Sequence, residues 1–136
     1  MAARIASGRN LLPEIVKKNR AATSLLSFPQ EHLDVVRKGM DLVVNGAGTA
    51  VRSRLQLENI AMAGKTGTAQ VRRIEGAQRG QSGAWKYRDH GLFVCFAPVD
   101  QPRYGAAVVI EHGLGGARAA APIAKDVLTF IYDREQ

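Results

Sequence analysis

The chain has 136 residues, 46% of them hydrophobic and 23% charged, and carries a formal net charge of +7. That length suits one domain, residues 1–136, burying about two thirds of its unfolded surface, and the composition excludes a disordered chain. A single cysteine, Cys95, excludes an internal disulfide and a cysteine-based metal cluster, and no apolar run approaches the ~20 residues of a membrane helix.

The positive charge favours anionic partners: nucleic acid, an acidic membrane face or an anionic cell-wall polymer. No signal peptide is expected ahead of the first polar residues. Met1–Ala6 reads as the end of a helix stopped by Ser7-Gly8, and Leu11–Val16 as a short extended piece, because Leu12 precedes a proline. Ser27-Phe28-Pro29-Gln30 has the form of a capping box. Behind it, Leu33, Val36, Met40 and Val43 recur at helical spacing, and Asn45-Gly46 closes that helix. Residues 46–56 read as a loop with one helical turn.

Three strands are predicted next, at about Asn59–Arg72, Gly91–Ala97 and Tyr104–Glu111. The short Pro98–Pro102 turn makes the last two an antiparallel pair. Ala117–Tyr132 is predicted to be a helix with Ala120, Ile123, Ala124, Val127, Leu128 and Ile131 on one face, and with Pro122 near its first turn. The fold class is therefore α+β: a three-stranded antiparallel sheet flanked by helices.

Chemistry concentrates in Gly64-Lys65-Thr66-Gly67-Thr68-Ala69-Gln70, an ammonium, two hydroxyls and two glycines on one short strand. A phosphate-binding loop would need glycine at position 59, which is Asn, and a helix after the lysine, where this sequence alternates like a strand. Gly113-Leu114-Gly115-Gly116 hints at a dinucleotide loop, but position 118 is Arg and too little chain follows for a second crossover, so a tight strand-to-helix turn is expected. His32, His90 and His112 stand far apart in sequence without metal-ligand spacing. No metal and no cofactor are expected. Cys95, among Leu92, Phe93, Val94 and Phe96, reads as a buried inert thiol. Arg72, Arg73, Arg79, Lys86 and Arg88, interleaved with Trp85 and Tyr87, leave a basic single-stranded nucleic-acid-binding module as the alternative reading. A solvated connection between strands is the plainer account of that stretch, and no nucleic-acid partner is expected.

Lys-Thr-Gly is one of three signatures of serine acyl-transfer enzymes of the penicillin-binding class, beside Ser-x-x-Lys and Ser-Asp-Asn. The order and spacing of Gly48-Thr49-Ala50, Ala63–Gln70, Asp89–Pro98, Val108–Gly113, Gly115-Gly116 and Ala120–Ala124 resemble the class B penicillin-binding proteins, nearest the elongation-specific penicillin-binding protein 2 group. The likeness covers nearly the whole chain but only the C-terminal half of that family's transpeptidase domain, implying a partial penicillin-binding/β-lactamase-like fold.

The resemblance implies a peptidoglycan D,D-transpeptidase that cross-links stem peptides through a serine acyl-enzyme and also takes β-lactams. By that likeness Lys65 joins the proton relay opposite the serine. Thr66 and Thr68 bind the terminal carboxylate, Gly67 admits the substrate backbone, and the Thr68 N–H forms half of the oxyanion hole. The companion motifs are absent: no serine here has lysine three places on or asparagine two places on. The nucleophile is therefore expected on sequence outside this chain, and the chain alone is expected to be inactive. For the parent protein the likeness implies the periplasmic face of the inner membrane and a SEDS glycosyltransferase partner of the elongation complex. In the family a further strand pairs with the last strand here, so Tyr104–Glu111 is expected at a bare edge. Together with Ile123, Val127 and Ile131, that edge invites self-association.

Overall fold

The computed structural model describes residues 1–16, 23–71 and 84–135. Three strands, β1 (Ala63–Ala69), β2 (His90–Ala97) and β3 (Tyr104–Ile110), form one antiparallel sheet in the order β1-β2-β3. The register pairs Lys65 with Val94, Thr66 with Phe93 and Thr68 with Gly91. On the far side of β2 it pairs Phe93 with Val108 and Gly91 with Ile110. With β2 in the centre, the outer edges of both β1 and β3 have no strand neighbour among the described residues.

Strand alternation divides the sheet into two unlike faces. Phe93 and Cys95 point into the main core with Met62, Ala120, Ala124 and Leu128. The opposite face carries Lys65, Leu92, Val94 and Val109, and is packed chiefly at one end, where Ala6 and Met40 meet Ala63 and Phe96. Short helix α1 (Ala2–Ser7) and long helix α2 (Gln30–Asn45) supply that packing. Gly8 ends α1 in the left-handed region at φ 69°, as Ser7-Gly8 predicts.

Several expectations are corrected. The capping box does not form. Pro29 keeps Phe28 out of the helical region, α2 starts at Gln30 with no side-chain cap, and the Gln30 amide donates to Asp34 Oδ1 at 3.2 Å instead. On α2 the buried positions are Leu33, Met40 and Val44, while Val36 is exposed. Gly46 follows α2 with extended backbone rather than a left-handed cap. β1 begins at Ala63, not Asn59, because Asn59 sits at φ 59° in a turn closed by a Leu57–Ile60 bridge. Arg72, its predicted end, lies outside the described residues, and Leu11–Val16 forms no strand.

The last helix is two: α3 (Gly116–Ala119) and α4 (Ala121–Asp133). A continuous helix would set the Pro122 ring against the carbonyl of Arg118, so the break falls at Ala120 and Pro122 occupies the first turn of α4. Ala121, Ala124, Leu128 and Tyr132 turn inward, whereas Ile123, Val127 and Phe130 remain 42%, 48% and 59% exposed. The end of α4 is tied back to β3. Arg103 donates twice to the Glu135 carboxylate, at 3.0 and 3.2 Å, and the Tyr104 phenol donates to it as well. Holding that bond pushes the Tyr104 pKa up.

Candidate active site

The site is built on β1, and two opposite demands set its sequence. Gly64 lies under the buried Phe93 ring: a Cβ there would stand 2.3 Å from Phe93 Cζ and 2.9 Å from Val94 O. The glycine therefore lets the strand close on its core. At Gly67, three residues on and on the opposite face, a Cβ would meet nothing nearer than Leu92 Cβ at 3.4 Å. Packing does not demand that glycine, and it leaves the strand surface bare beside Lys65.

Lys65 is exposed on the thinly covered face, where its Nζ donates to Thr66 O at 2.8 Å. Its stem borders an apolar cleft of about 400 Å³ that also touches Ala2, Ile5, Val36, Met40 and Val94. Among the described residues no carboxylate forms an ion pair with it. The ammonium is thus anchored at one donor position, and its remaining hydrogens are available to a ligand or a relay partner.

Thr66 and Thr68 share the other face. Thr66 is half-buried, and its Oγ1 lies 2.9 Å from Thr49 Oγ1. Thr49 belongs to the loop after α2, and the Gly48-Thr49-Ala50 triplet has a physical reading. A Cβ on Gly48 would fall 2.3 Å from Val43 Cα, so only glycine lets the loop fold back on the helix. The Ala50 N–H donates to Val43 O at 2.9 Å, and its side chain is buried in the core. Thr49 is left reaching across to the strand.

Thr68 is exposed, with the loop after β3 beside it. A Cβ on Gly115 would lie 4.0 Å from Thr68 Oγ1, whereas one on Gly116 would lie 1.9 Å from Leu92 O and 2.8 Å from Gly67 O. Gly113–Gly116 is thus no dinucleotide loop. Its glycines allow the start of α3 to press against the backbones of β1 and β2. Lys65 on one face, Thr66 and Thr68 on the other and the loop beside Thr68 flank the outer edge of β1, which has no strand neighbour among the described residues, a geometry that suits an extended ligand ending in a carboxylate.

The penicillin-binding protein transpeptidase domain family matches residues 1–129. The chain belongs to that family. It is similar to the peptidoglycan D,D-transpeptidase MrdA of Acinetobacter baumannii, 42% identical over 93 residues, 67% of this chain and 13% of the relative. The Haemophilus influenzae MrdA is 33% identical over 103 residues, covering 74% and 16%. Among solved structures, Helicobacter pylori PBP2 in its complex with MreC aligns with a TM-score of 0.80 at 29% identity over 97% of this chain and 23% of that one. Pseudomonas aeruginosa PBP2 in complex with WCK 5153 aligns at 0.65 and 31%, over 93% and 27%. The likeness is to the PBP2-type, class B branch, and the chain spans about one sixth or less of these two curated relatives.

Within this transpeptidase fold two of the histidines come together. His90 and His112, 22 positions apart, are neighbours. The register brings the start of β2 beside the end of β3, the His112 N–H donates to His90 Nδ1 at 2.9 Å, and the ring centroids lie 4.9 Å apart. Trp85, in a short 3-10 turn (Trp85–Tyr87), adds its indole at 4.2 Å from the His112 ring. His32 is remote, beside Glu31 on α2. No group of three or more metal-ligating side chains occurs among the described residues.

Cys95 is buried, and burial pushes its thiol up to about 11, which makes a thiolate nucleophile unavailable near neutral pH. In the basic stretch, Lys86 lies over the Tyr87 ring at 4.9 Å and Trp85 packs tilted against His112. Arg72, Arg73 and Arg79 lie outside the described residues. No helix among the described residues is long and apolar enough to cross a membrane.

Proposed function

We propose that this chain supplies the Lys-Thr-Gly wall of a peptidoglycan D,D-transpeptidase that works through a serine acyl-enzyme. The observation that carries the reading is the placement of Lys65, Thr66 and Thr68 on a strand whose outer side has no strand neighbour among the described residues, with no carboxylate in an ion pair with Lys65 among those residues either. A stem peptide would lie extended along that edge, its terminal carboxylate held by the Thr66 and Thr68 hydroxyls and favoured by the Lys65 charge.

A serine hydroxyl outside this chain attacks the penultimate D-alanine carbonyl and gives up its proton to a relay that includes Lys65. The tetrahedral oxyanion is held in part by the Thr68 N–H. Collapse breaks the peptide bond, and the terminal D-alanine leaves as its amine with the relayed proton. An amine of a second stem then attacks the ester, forming the cross-link and returning the serine with its proton. β-Lactams enter the same site because their carboxylate and strained amide present the same two features.

For the whole protein the reading implies anchoring at the periplasmic face of the inner membrane and assembly with a SEDS glycosyltransferase. The Helicobacter pylori PBP2 in complex with MreC adds that protein class as a candidate partner. Labelled penicillin tests the function. The transpeptidase carrying this segment together with its serine should gain one penicillin by intact mass, and the 136-residue chain alone should gain none. A stable adduct on a serine of the isolated chain refutes the assignment of the nucleophile. No adduct on the complete transpeptidase refutes the function.

A further inference from the structure

The Lys-Thr-Gly strand explains one side of the slot around Thr68, and the other side is the loop from Glu111 to Gly115, in which two residues that are not glycine hold left-handed backbone. His112 is at φ 55° and Leu114 at φ 70°. Such conformations are disfavoured for side chains of this size and persist only where neighbours impose them. Here three bonds do so. The His112 N–H donates to His90 Nδ1 at 2.9 Å, His112 Nδ1 pairs with Arg88 O at 2.9 Å, and the Leu114 N–H donates to Asp89 O at 2.8 Å. Every one of them ties the loop to the segment that opens β2.

We propose that His90 and His112 are positioning residues that pin the Glu111–Gly115 loop as the wall beside Thr68, and so set the width of the slot that receives the ligand's carboxylate end. The placement supports this directly. Ala69 pairs with His90 and Thr68 with Gly91, so the backbone that carries the histidine anchor sits one register step from that paired with Thr68. From that anchor the loop runs to Gly115 beside Thr68 Oγ1 and to Gly116, whose close fit on Leu92 O leaves no freedom to move inward. Movement outward is resisted by the three bonds and by the Trp85 ring against His112.

The chemistry of the anchor is specific. His90 Nδ1 accepts from a backbone amide, so its proton sits on Nε2. Only a side chain with an acceptor at that position can replace it. Asparagine, whose Oδ1 occupies nearly the place of Nδ1, is such a replacement, and leucine is not. Trp85 reports on the arrangement: it is the chain's single tryptophan, 62% exposed, with its ring against His112.

The inference rests on the transpeptidase reading for its consequence, but the loop's attachment can be read without it. In the 136-residue chain, His90→Leu should shift Trp85 emission and speed amide hydrogen exchange at His112 and Leu114, while His90→Asn should leave both near the parent. In the complete transpeptidase, His90→Leu should slow acylation by labelled penicillin about 10- to 100-fold, the scale of a misplacement of roughly 1 Å, with asparagine restoring most of the rate. If the leucine variant does not fold, His112→Gly serves. It keeps the amide donor, suits φ 55°, removes the ring contacts, and should still shift Trp85 emission and slow acylation several-fold.

An asparagine variant no better than leucine overturns the proposal, as does normal acylation in either the leucine or the glycine variant. A complete transpeptidase that takes no penicillin even as wild type overturns the functional reading instead, and exchange and emission still decide whether the histidines hold the loop.

Discussion

Gly64 and Gly67 lie three residues apart on one strand, and the structure assigns them unlike reasons. Alanine at 64 places a methyl 2.3 Å from Phe93 Cζ and 2.9 Å from Val94 O, where carbon atoms settle at about 3.5–4.0 Å. Phe93 is fully buried, so strand and ring must separate by more than about 1 Å, an overpacking that costs typically 1–3 kcal/mol and here belongs at the upper end. Alanine at 67 meets only ordinary contact at 3.4 Å and has no left-handed backbone to strain. It should leave stability unchanged or raise it by about 0.4–1 kcal/mol through the unfolded chain. For a chain of this size that corresponds to a fall in Tm of roughly 5–15 °C for Gly64→Ala, against no fall for Gly67→Ala. Thermal melts followed by circular dichroism separate the two. In the complete transpeptidase the same Gly67→Ala methyl adds bulk beside the strand edge along which the ligand backbone runs, and should cut acylation about 10- to 100-fold. The reasoning is refuted if Gly67→Ala melts as low as Gly64→Ala, or if it acylates at the parent rate.

Thr49→Val removes the partner of Thr66 Oγ1 and should weaken carboxylate recognition by about 0.5–1.5 kcal/mol, with Thr49→Ser close to wild type; a Thr49/Thr66 double-mutant cycle of penicillin acylation measures the coupling. The Cys95 thiol, raised from 9.0 to about 11, keeps its proton in the folded chain when the unfolded chain has lost it. Stability from this group is therefore intact below pH 9 and falls by about 2–3 kcal/mol as pH rises toward 11, a slope that urea unfolding should find in the parent and not in Cys95→Ala. The outer edge of β3, without a strand neighbour among the described residues, and the exposed Ile123, Val127 and Phe130 predict concentration-dependent self-association of the isolated chain, checked by sedimentation, with a monomer at every concentration as the contrary result.

What the sequence makes legible follows from what is local. The β2–β3 hairpin announces itself through two apolar runs joined by a proline-bounded turn, and Lys65 to Thr68 through their motif. The start of β1 and the split before α4 are less visible. A left-handed Asn59 leaves no mark in the hydrophobic pattern, and alanines around Pro122 suit either side of a break. Contacts across long separations were invisible for a stronger reason. Thr49 meets Thr66 over 17 positions and His112 meets His90 over 22. Both depend on register and on glycine-permitted close approach, which no single segment encodes. The sequence signal for Thr49 was its place between an obligatory glycine and a buried alanine; for the histidines it was only their position at facing strand ends.

The central claim is that the Lys65 ammonium serves the acylation relay on this strand and not the packing of the sheet. The acylation rate of the complete transpeptidase with labelled penicillin, followed by intact mass for wild type and Lys65→Ala, tests it most directly. Lys65 is exposed and borders an open cleft, so the variant should fold with the stability of the parent and acylate slower by orders of magnitude. A Lys65→Ala protein that acylates at the wild-type rate contradicts the account.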